Sequence, residues 1–443
     1  MRRWLLGGFV LLAALVAIDF VVGQIRGTWP VVAGAVRGVI AEAQAPIVVG
    51  LIHSETGPLA ISEKSLLEAE ILAVDEINAR GGIAGRRVKW VKADGRSDPS
   101  AFASQALRLI EQDKADVVIG GWTAESRKAM LDVVEKKDGL LIFPANFEGI
   151  ERSAHAIYVG GSVNQVVLPA VRWSFDALKA RKFFVIGTEE VWSRVASELA
   201  KDGIKVAGGE LAGESYLPLV GGDLPGLVEQ IRAAKPDIVL NAMVGDSNVA
   251  FYAALRRSGS TPEALPVVAF AVAEDELRRF SPGDVAGHYA AFGYYQGLDR
   301  PENLDFVRKF KAKYGDSRAI SDTMVSAYNG LMIWAQAAEE AGTGDPKAVN
   351  GRFDRQSIDA PEGIVTIDPD SRIAWRPFCL GKARADGQFD LAWSIGKPIQ
   401  PITFPATRSR SQWRSLLEGL KVRWGGRWST SEPVHPSPTP PVK

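Results

Sequence analysis

The sequence predicts an α/β protein of two doubly wound lobes, each a parallel sheet covered by helices on both faces. Three observations carry this expectation. The chain has 443 residues. A single hydrophobic core stops growing at roughly 250–300 residues, so two lobes are expected. Short β-rich runs alternate with amphipathic helices from Pro46 onward, the pattern of a parallel sheet. The alternation then restarts near Lys182, which marks a second lobe.

Taken in order, Ile47–Ile52 reads as a buried strand. Ser62–Arg80 reads as its helix, with Leu66, Leu67, Ala69, Ile71, Leu72, Val74 and Ile77 at helical spacing and Gly81-Gly82 as the stop. Arg87–Ala93, Ala115–Gly120 and Leu140–Phe143 follow as strands, with helices over Ser100–Gln112 and Ser126–Lys136 between them. The second series has strands at Lys182–Gly187, Ile238–Asn241 and Val267–Phe270, and helices at Val191–Asp202, Leu224–Ala234 and Ser247–Gly259. Helices over Glu302–Tyr314 and Ser321–Ala341 and strands at Ile364–Asp368 and Phe378–Lys382 come last. Periodicity does not assign these to a lobe; a chain that crosses several times between lobes uses such pieces to complete both.

The two ends read differently from the middle. Arg2-Arg3 precede the apolar run Trp4–Ile18, and Phe20-Val21-Val22 continue it after Asp19, so export is expected. Residues 1–45 read either as a signal peptide or as an uncleaved membrane anchor. The small-residue sites Ala41-Glu-Ala43 and Ala43-Gln-Ala45 lie far past the apolar run, which favours the anchor. The basic, proline-rich tail over 405–443 predicts a short helix and a disordered end, with no part in a ligand site.

Composition narrows the function. With 52 basic and 52 acidic residues the formal net charge is zero, which argues against nucleic acid as a partner. Cys379 is the only cysteine, which excludes an intrachain disulfide and any zinc site built on several thiolates. The four histidines lack metal-ligand spacing. No nucleophile elbow and no phosphate-binding glycine loop is present, so neither an enzyme nor a cofactor is expected.

A collinear series of short motifs is more specific. Gly50-Leu-Ile-His-Ser54 is followed by Thr56-Gly57, Ala60-Ile-Ser-Glu63 and Ala73-Val-Asp-Glu-Ile-Asn78; then come Gly120-Gly-Trp-Thr123 with Ser126-Arg-Lys128 and Phe147-Glu-Gly149. Farther on stand Ala233-Ala-Lys-Pro-Asp237, Gly245-Asp-Ser-Asn-Val-Ala-Phe251, Ala286-Gly-His-Tyr289, Pro301-Glu-Asn303 and Asp359-Ala-Pro-Glu-Gly363 with Thr366-Ile-Asp-Pro369. From Pro46 to Phe404 the chain resembles the urea and short-chain amide branch of the leucine/isoleucine/valine-type substrate-binding proteins of ABC transporters. The resemblance implies a type I periplasmic-binding-protein fold with a three-crossing hinge. It puts 46–160 plus 295–341 in one lobe and 161–294 plus 342–404 in the other. It also implies a small polar solute and an ABC permease as partners, and a periplasmic location.

In such a receptor the solute lies beyond the carboxyl ends of the strands, where loops enter helix N-termini. The candidate ligand-binding residues are Ser54 after the first strand, Trp122, Thr123, Ala124 and Ser126 after the third, and Phe143 and Phe147 around the fourth, with Glu190, Gly245 and Asp246 from the other lobe. Thr123, Ser126 and Asp246 read equally well as helix caps. Trp122 reads equally well as packing. The sequence departs from the amide receptors in carrying Ala124 for a serine, Phe143-Pro144 for Tyr-Pro, Phe147 for a tyrosine, and Glu190 where a tyrosine is usual. Urea, an amide and, through Glu190 and Asp246, an amine all remain open as the solute. A gap between the lobes already filled by side chains would contradict the receptor reading. A membrane-anchored sensor that regulates a partner protein is the alternative, favoured by the N-terminal segment and the tail.

Overall fold

The computed structural model describes residues 45–219 and 221–431. The expectations for the first 44 residues and for the end of the tail lie outside them. Strands β1 (Ile47–His53), β2 (Val88–Asp94), β3 (Val117–Gly120), β4 (Leu141–Phe143) and β5 (Ala156–Tyr158) form one parallel sheet in the order β2-β1-β3-β4-β5. Helices α1 (Ala60–Ala79), α2 (Pro99–Glu111) and α3 (Ala124–Lys136) make the connections. Their starts follow local chemistry: Asp98 accepts from the Ala101 N–H at 2.8 Å with Pro99 at the first helical position, so α2 begins there.

The second sheet is larger. After α4 (Val163–Asp176) come β6 (Lys182–Thr188), α5 (Val191–Ala207), β7 (Glu210–Leu217), α6 (Leu224–Ala234), β8 (Ile238–Ala242), α7 (Ser247–Arg257) and β9 (Val267–Ala269). Two short helices, α8 (Glu274–Leu277) and α9 (Pro282–Val285), lead to β10 (Tyr289–Phe292). The chain then returns to the first lobe with α10 (Pro301–Tyr314), α11 (Asp322–Ala341), α12 (Pro346–Asn350) and the three-stranded sheet β11 (Ser357–Ala360), β12 (Gly363–Ile367) and β13 (Ala374–Trp375). It closes the second sheet with antiparallel β14 (Cys379–Ala383) and β15 (Phe389–Ser394), giving the order β15-β14-β10-β9-β8-β6-β7.

The late elements depart from the expected lobe boundary: residues 342–375, expected with the second lobe, pack on the first, because their pairing partners lie there. Helix α11 covers the first sheet, and a Cβ on its Gly330 would stand 2.8 Å from Ile142 of β4. Helix α12 and β13 stay on that side: Asn350 Nδ2 donates to the Ala154 carbonyl at 2.9 Å, and Tyr158 forms a parallel bridge with Ile373.

Three crossings, over 159–162, 293–300 and 376–378, join the two lobes, as expected of a type I periplasmic-binding fold. Polar groups bind the crossings to one another. Gln165 donates to the carbonyls of Ala374 (2.9 Å) and Ile399 (2.8 Å), tying the start of α4 to the third crossing. Arg376, almost fully buried, pairs with both oxygens of Asp322 (2.8 and 3.0 Å) and with Glu362 (3.1 Å), and Asp322 also accepts the Gly293 N–H at 3.0 Å.

Helix α13 (Arg410–Arg423) is the short tail helix expected from the sequence. It is docked: Trp413, Leu420 and Trp424 are buried in the same apolar cluster as Val195 and Leu199 of α5. Arg408 pairs with Asp202 and Glu198 beside it.

Candidate functional site in the cleft between the lobes

Crossings leave the carboxyl ends of β5 and β10, so both sheets present those ends to the junction, where open α/β sheets bind ligands. On the first lobe the backbone there is forced. Gly120 ends β3 at φ +142°, and a Cβ would lie 1.8 Å from the Ile52 carbonyl oxygen, a backbone atom that cannot swing away. Gly120→Ala is expected to lower stability by about 1–3 kcal/mol. Gly245→Ala, also at positive φ but facing open space, should cost less in a denaturant titration.

That turn delivers four of the sequence-predicted residues. Trp122 is half-buried and packs against two apolar clusters, one within the first lobe and one that runs through both lobes. Thr123 caps α3: its Oγ1 accepts the Ser126 N–H, and Ser126 Oγ accepts the Thr123 N–H, each at 3.1 Å. Ala124 is buried in the cluster that holds Val191 and Trp192, so the lobes touch here.

Beneath them lies a charged group that pattern reading missed. Arg127 is fully buried; its Nη2 donates to Glu148 at 2.7 Å and its Nε to Glu151 at 3.0 Å. Phe143 and Phe147 wall it, with ring centroids 5.0 and 5.7 Å from the guanidinium carbon, and Phe147 stacks on Tyr158 at 4.4 Å. Tyr158 Oη donates to Glu151 at 2.8 Å, and Lys128 reaches the same carboxylate at 2.5 Å. Burial alone would raise Glu151, but Arg127 and Lys128 outweigh it and hold it well below the usual carboxylate range. Burial and the Glu151 charge push Tyr158 well above the usual phenol value. Arg127 Nη1, Glu148 Oε2 and Trp192 Nε1 are buried with no hydrogen-bond partner among the described residues.

The other predicted residues sit elsewhere or are already engaged. Ser54 is buried at the end of β1; its N–H donates to Glu63 and its Oγ accepts from Ser97, both at 2.8 Å. Glu190 caps α5, its oxygens accepting from Trp192 at 2.9 Å and from Ser193. Burial lifts Glu190 to about 8, against the pull of those two N–H groups, so it is mostly protonated at pH 7. Gly245 turns at φ +73°, and Asp246, 74% exposed, pairs with Arg279 in a shallow surface depression.

The tail also reaches this junction. Beyond α13 the chain turns back, and residues 428–430 lie against Glu189–Val191 of the second lobe and Glu125 of the first. Composition gave no sign of this. The available signal for the charged group was Ser126-Arg-Lys128 opposite Glu148 and Glu151, two basic residues at a helix start and two acidic residues on the loop that faces it.

Comparison with known proteins agrees with this architecture. Residues 47–410 match the model of the periplasmic binding protein domain. An amino acid binding protein of Pseudomonas aeruginosa is 27% identical over 72% of this chain and 86% of that protein. A limonene hydroxylase of Geobacillus stearothermophilus is 35% identical over 141 residues, 30% of this chain. The chain spans only 26% of that protein's length, too little to carry its activity over. Among solved structures, a solute binding protein of an ABC transporter from Rhodopseudomonas palustris BisB5, in complex with 3,4-dihydroxybenzoic acid, superimposes with a TM-score of 0.73. That likeness has 20% identity and covers 82% of this chain and 99% of the other. A family match over most of the chain, together with two sheets, three crossings and a site at the strand ends, makes this chain a member of the periplasmic binding protein family.

Proposed function

We propose that the chain is the extracytoplasmic receptor of an ABC importer, closing on a small nitrogen-bearing solute such as urea, a short-chain amide or an amino acid and passing it to a membrane permease. In this reading residues 1–45 direct export and, where uncut, tether the chain to the cytoplasmic membrane. The supporting observation is the pair of unused polar atoms at the junction, Arg127 Nη1 and Glu148 Oε2. The first asks for an acceptor and the second for a donor. A compact solute carrying a carbonyl or carboxylate beside an N–H group supplies both. Each such atom left unmatched in a dry site costs about 1–3 kcal/mol, which is the source of selectivity. Capture shifts an open–closed equilibrium across the three crossings and needs no bond chemistry.

A solute bound only by the folded chain raises its melting temperature. Thermal shifts of the chain from Pro46 onward are expected with urea, acetamide or isoleucine. They are not expected with benzoate, which offers Arg127 a carboxylate but carries no hydrogen-bond donor for Glu148. A response confined to the benzoate would sink this reading.

A further inference from the structure

The family match ends at residue 410, yet the chain continues through a docked helix and back to the junction. Gly425 and Gly426, at φ +63° and +86°, make the reversal after α13, a conformation that glycine adopts without strain. The segment that follows binds both lobes at once. Toward the second lobe it pairs as an antiparallel bridge between Ser429 and Glu190. There the Val191 N–H donates to the Trp428 carbonyl (3.0 Å), the Thr430 N–H to the Glu189 carbonyl (2.9 Å) and the Leu219 N–H to the Thr430 carbonyl (3.0 Å). Toward the first lobe, the Trp428 N–H and the Ser429 hydroxyl donate to the two oxygens of Glu125, at 2.9 and 3.0 Å. Lys128 Nζ stands 4.5 Å from the centroid of the Trp428 indole.

These partners belong to the site itself. Glu125 and Lys128 lie in the first turns of α3, beside the Thr123–Ser126 cap and the buried Arg127, and Glu189–Val191 form the loop that meets them from the opposite lobe. We infer that residues 425–430 are an internal strap that spans the cleft and holds the lobes together, so that solute capture and strap seating exclude one another. The inference rests on the receptor reading and adds its regulation. The strap thus adds a second bridge beside the direct contact of Ala124 with the cluster that holds Val191 and Trp192.

Tethering makes weak contacts sufficient. A segment joined through two glycines to a docked helix faces its site at an effective concentration on the order of millimolar. A solute then binds only the fraction of molecules whose strap has left, and its apparent affinity falls by that fraction. If the strap is seated about nine-tenths of the time, release should tighten binding about tenfold.

The test uses the full chain from Pro46 and a double variant, Trp428→Ala with Thr430→Pro, that removes the indole and the donor to Glu189 while leaving α13 intact. Amide hydrogen exchange reads seating directly, because the Val191 and Leu219 N–H groups donate to the strap. Their protection should be present in the parent and fall at least tenfold in the variant. Equal exchange in both proteins overturns the proposal. Titration calorimetry with urea, acetamide and isoleucine then reads competition: whichever solute binds should bind about tenfold tighter to the variant. Glu125→Ala, which cuts the strap from the opposite lobe, should act in the same direction. Equal affinities overturn the proposal. If none of the three binds either protein, the solute assignment fails, and X-ray scattering judges the strap alone. The radius of gyration should rise in the variant, and an unchanged value overturns the inference.

Discussion

Arg127→Met is expected to destabilise the chain by about 3–5 kcal/mol, because it leaves the fully buried Glu148 without its hydrogen-bonded cation, while Glu151 keeps Lys128. Both carboxylates lie beside the guanidinium, at 2.7 and 3.0 Å, and Glu148 is fully buried. A pair of buried charges is often no more stabilising than apolar residues in its place, but removing one member exposes the desolvation cost of the other. For a chain of this size the melting temperature should fall by roughly 5 °C. Adding Glu148→Gln should restore part of the loss, since the two side chains act as one unit and their effects do not add. Calorimetric melts of the three variants measure this. A loss below 1 kcal/mol in Arg127→Met would mean that water reaches the group, removing the basis for its role in the site.

The second large effect lies under α1. His53 is buried between two fully buried carboxylates, with its Nε2 2.8 Å from Glu70 and its Nδ1 3.6 Å from Glu63. Burial pulls the imidazole down, but Glu70 and Glu63 together outweigh it and raise it from 6.5 to about 10. The folded chain therefore keeps a proton that the unfolded chain gives up near pH 6.5. The resulting stability is full below that pH and is lost as the pH rises toward 10. His53→Gln removes the cation and should cost about 3–5 kcal/mol at pH 6, where the carboxylates lose their partner. Denaturant midpoints should fall between pH 6.5 and 10 more steeply in the parent than in the variant, where raised carboxyls such as Glu190 still contribute a slope up to about pH 8. Parallel curves would show that His53 is neutral in the folded chain.

Much of the fold was legible because it rests on local pattern. The helices α1, α2, α6 and α10 show apolar periodicity closed by glycine or opened by a capping residue, and their limits moved by only a residue or two. The elements that escaped lack such a pattern. Helix α4 carries Pro169 in its interior and is buried on nearly all sides, so it shows neither a polar face nor an uninterrupted run. Strand β7 is a half-exposed edge with Gly213 in it, and β5 has three residues. The lobe to which 342–375 belongs was illegible for a different reason: that choice depends on long-range pairing, such as Tyr158 with Ile373.

The site was legible in its loops and less so in its chemistry. Strand-end topology led to Trp122, Thr123, Ala124, Ser126, Phe143 and Phe147. The residues that carry charge there, Arg127 and Glu151, look in one dimension like ordinary members of a solvated helix face and a loop. Burial alone distinguishes them, and burial is a tertiary property. The strap was least visible of all. Its contacts are made mostly by backbone groups, which leave no trace in side-chain pattern, and by a single carboxylate some three hundred positions earlier.

The threefold passage between lobes also governs the order of assembly. Helix α11, which seals the first sheet, leaves the ribosome only after all the parallel strands of the second have been made, and the second sheet waits for β14 and β15. Neither half can complete itself before most of the other has been made, and contacts so distant in sequence form slowly. A polypeptide built this way stays open through much of its synthesis, which would suit the export proposed for it.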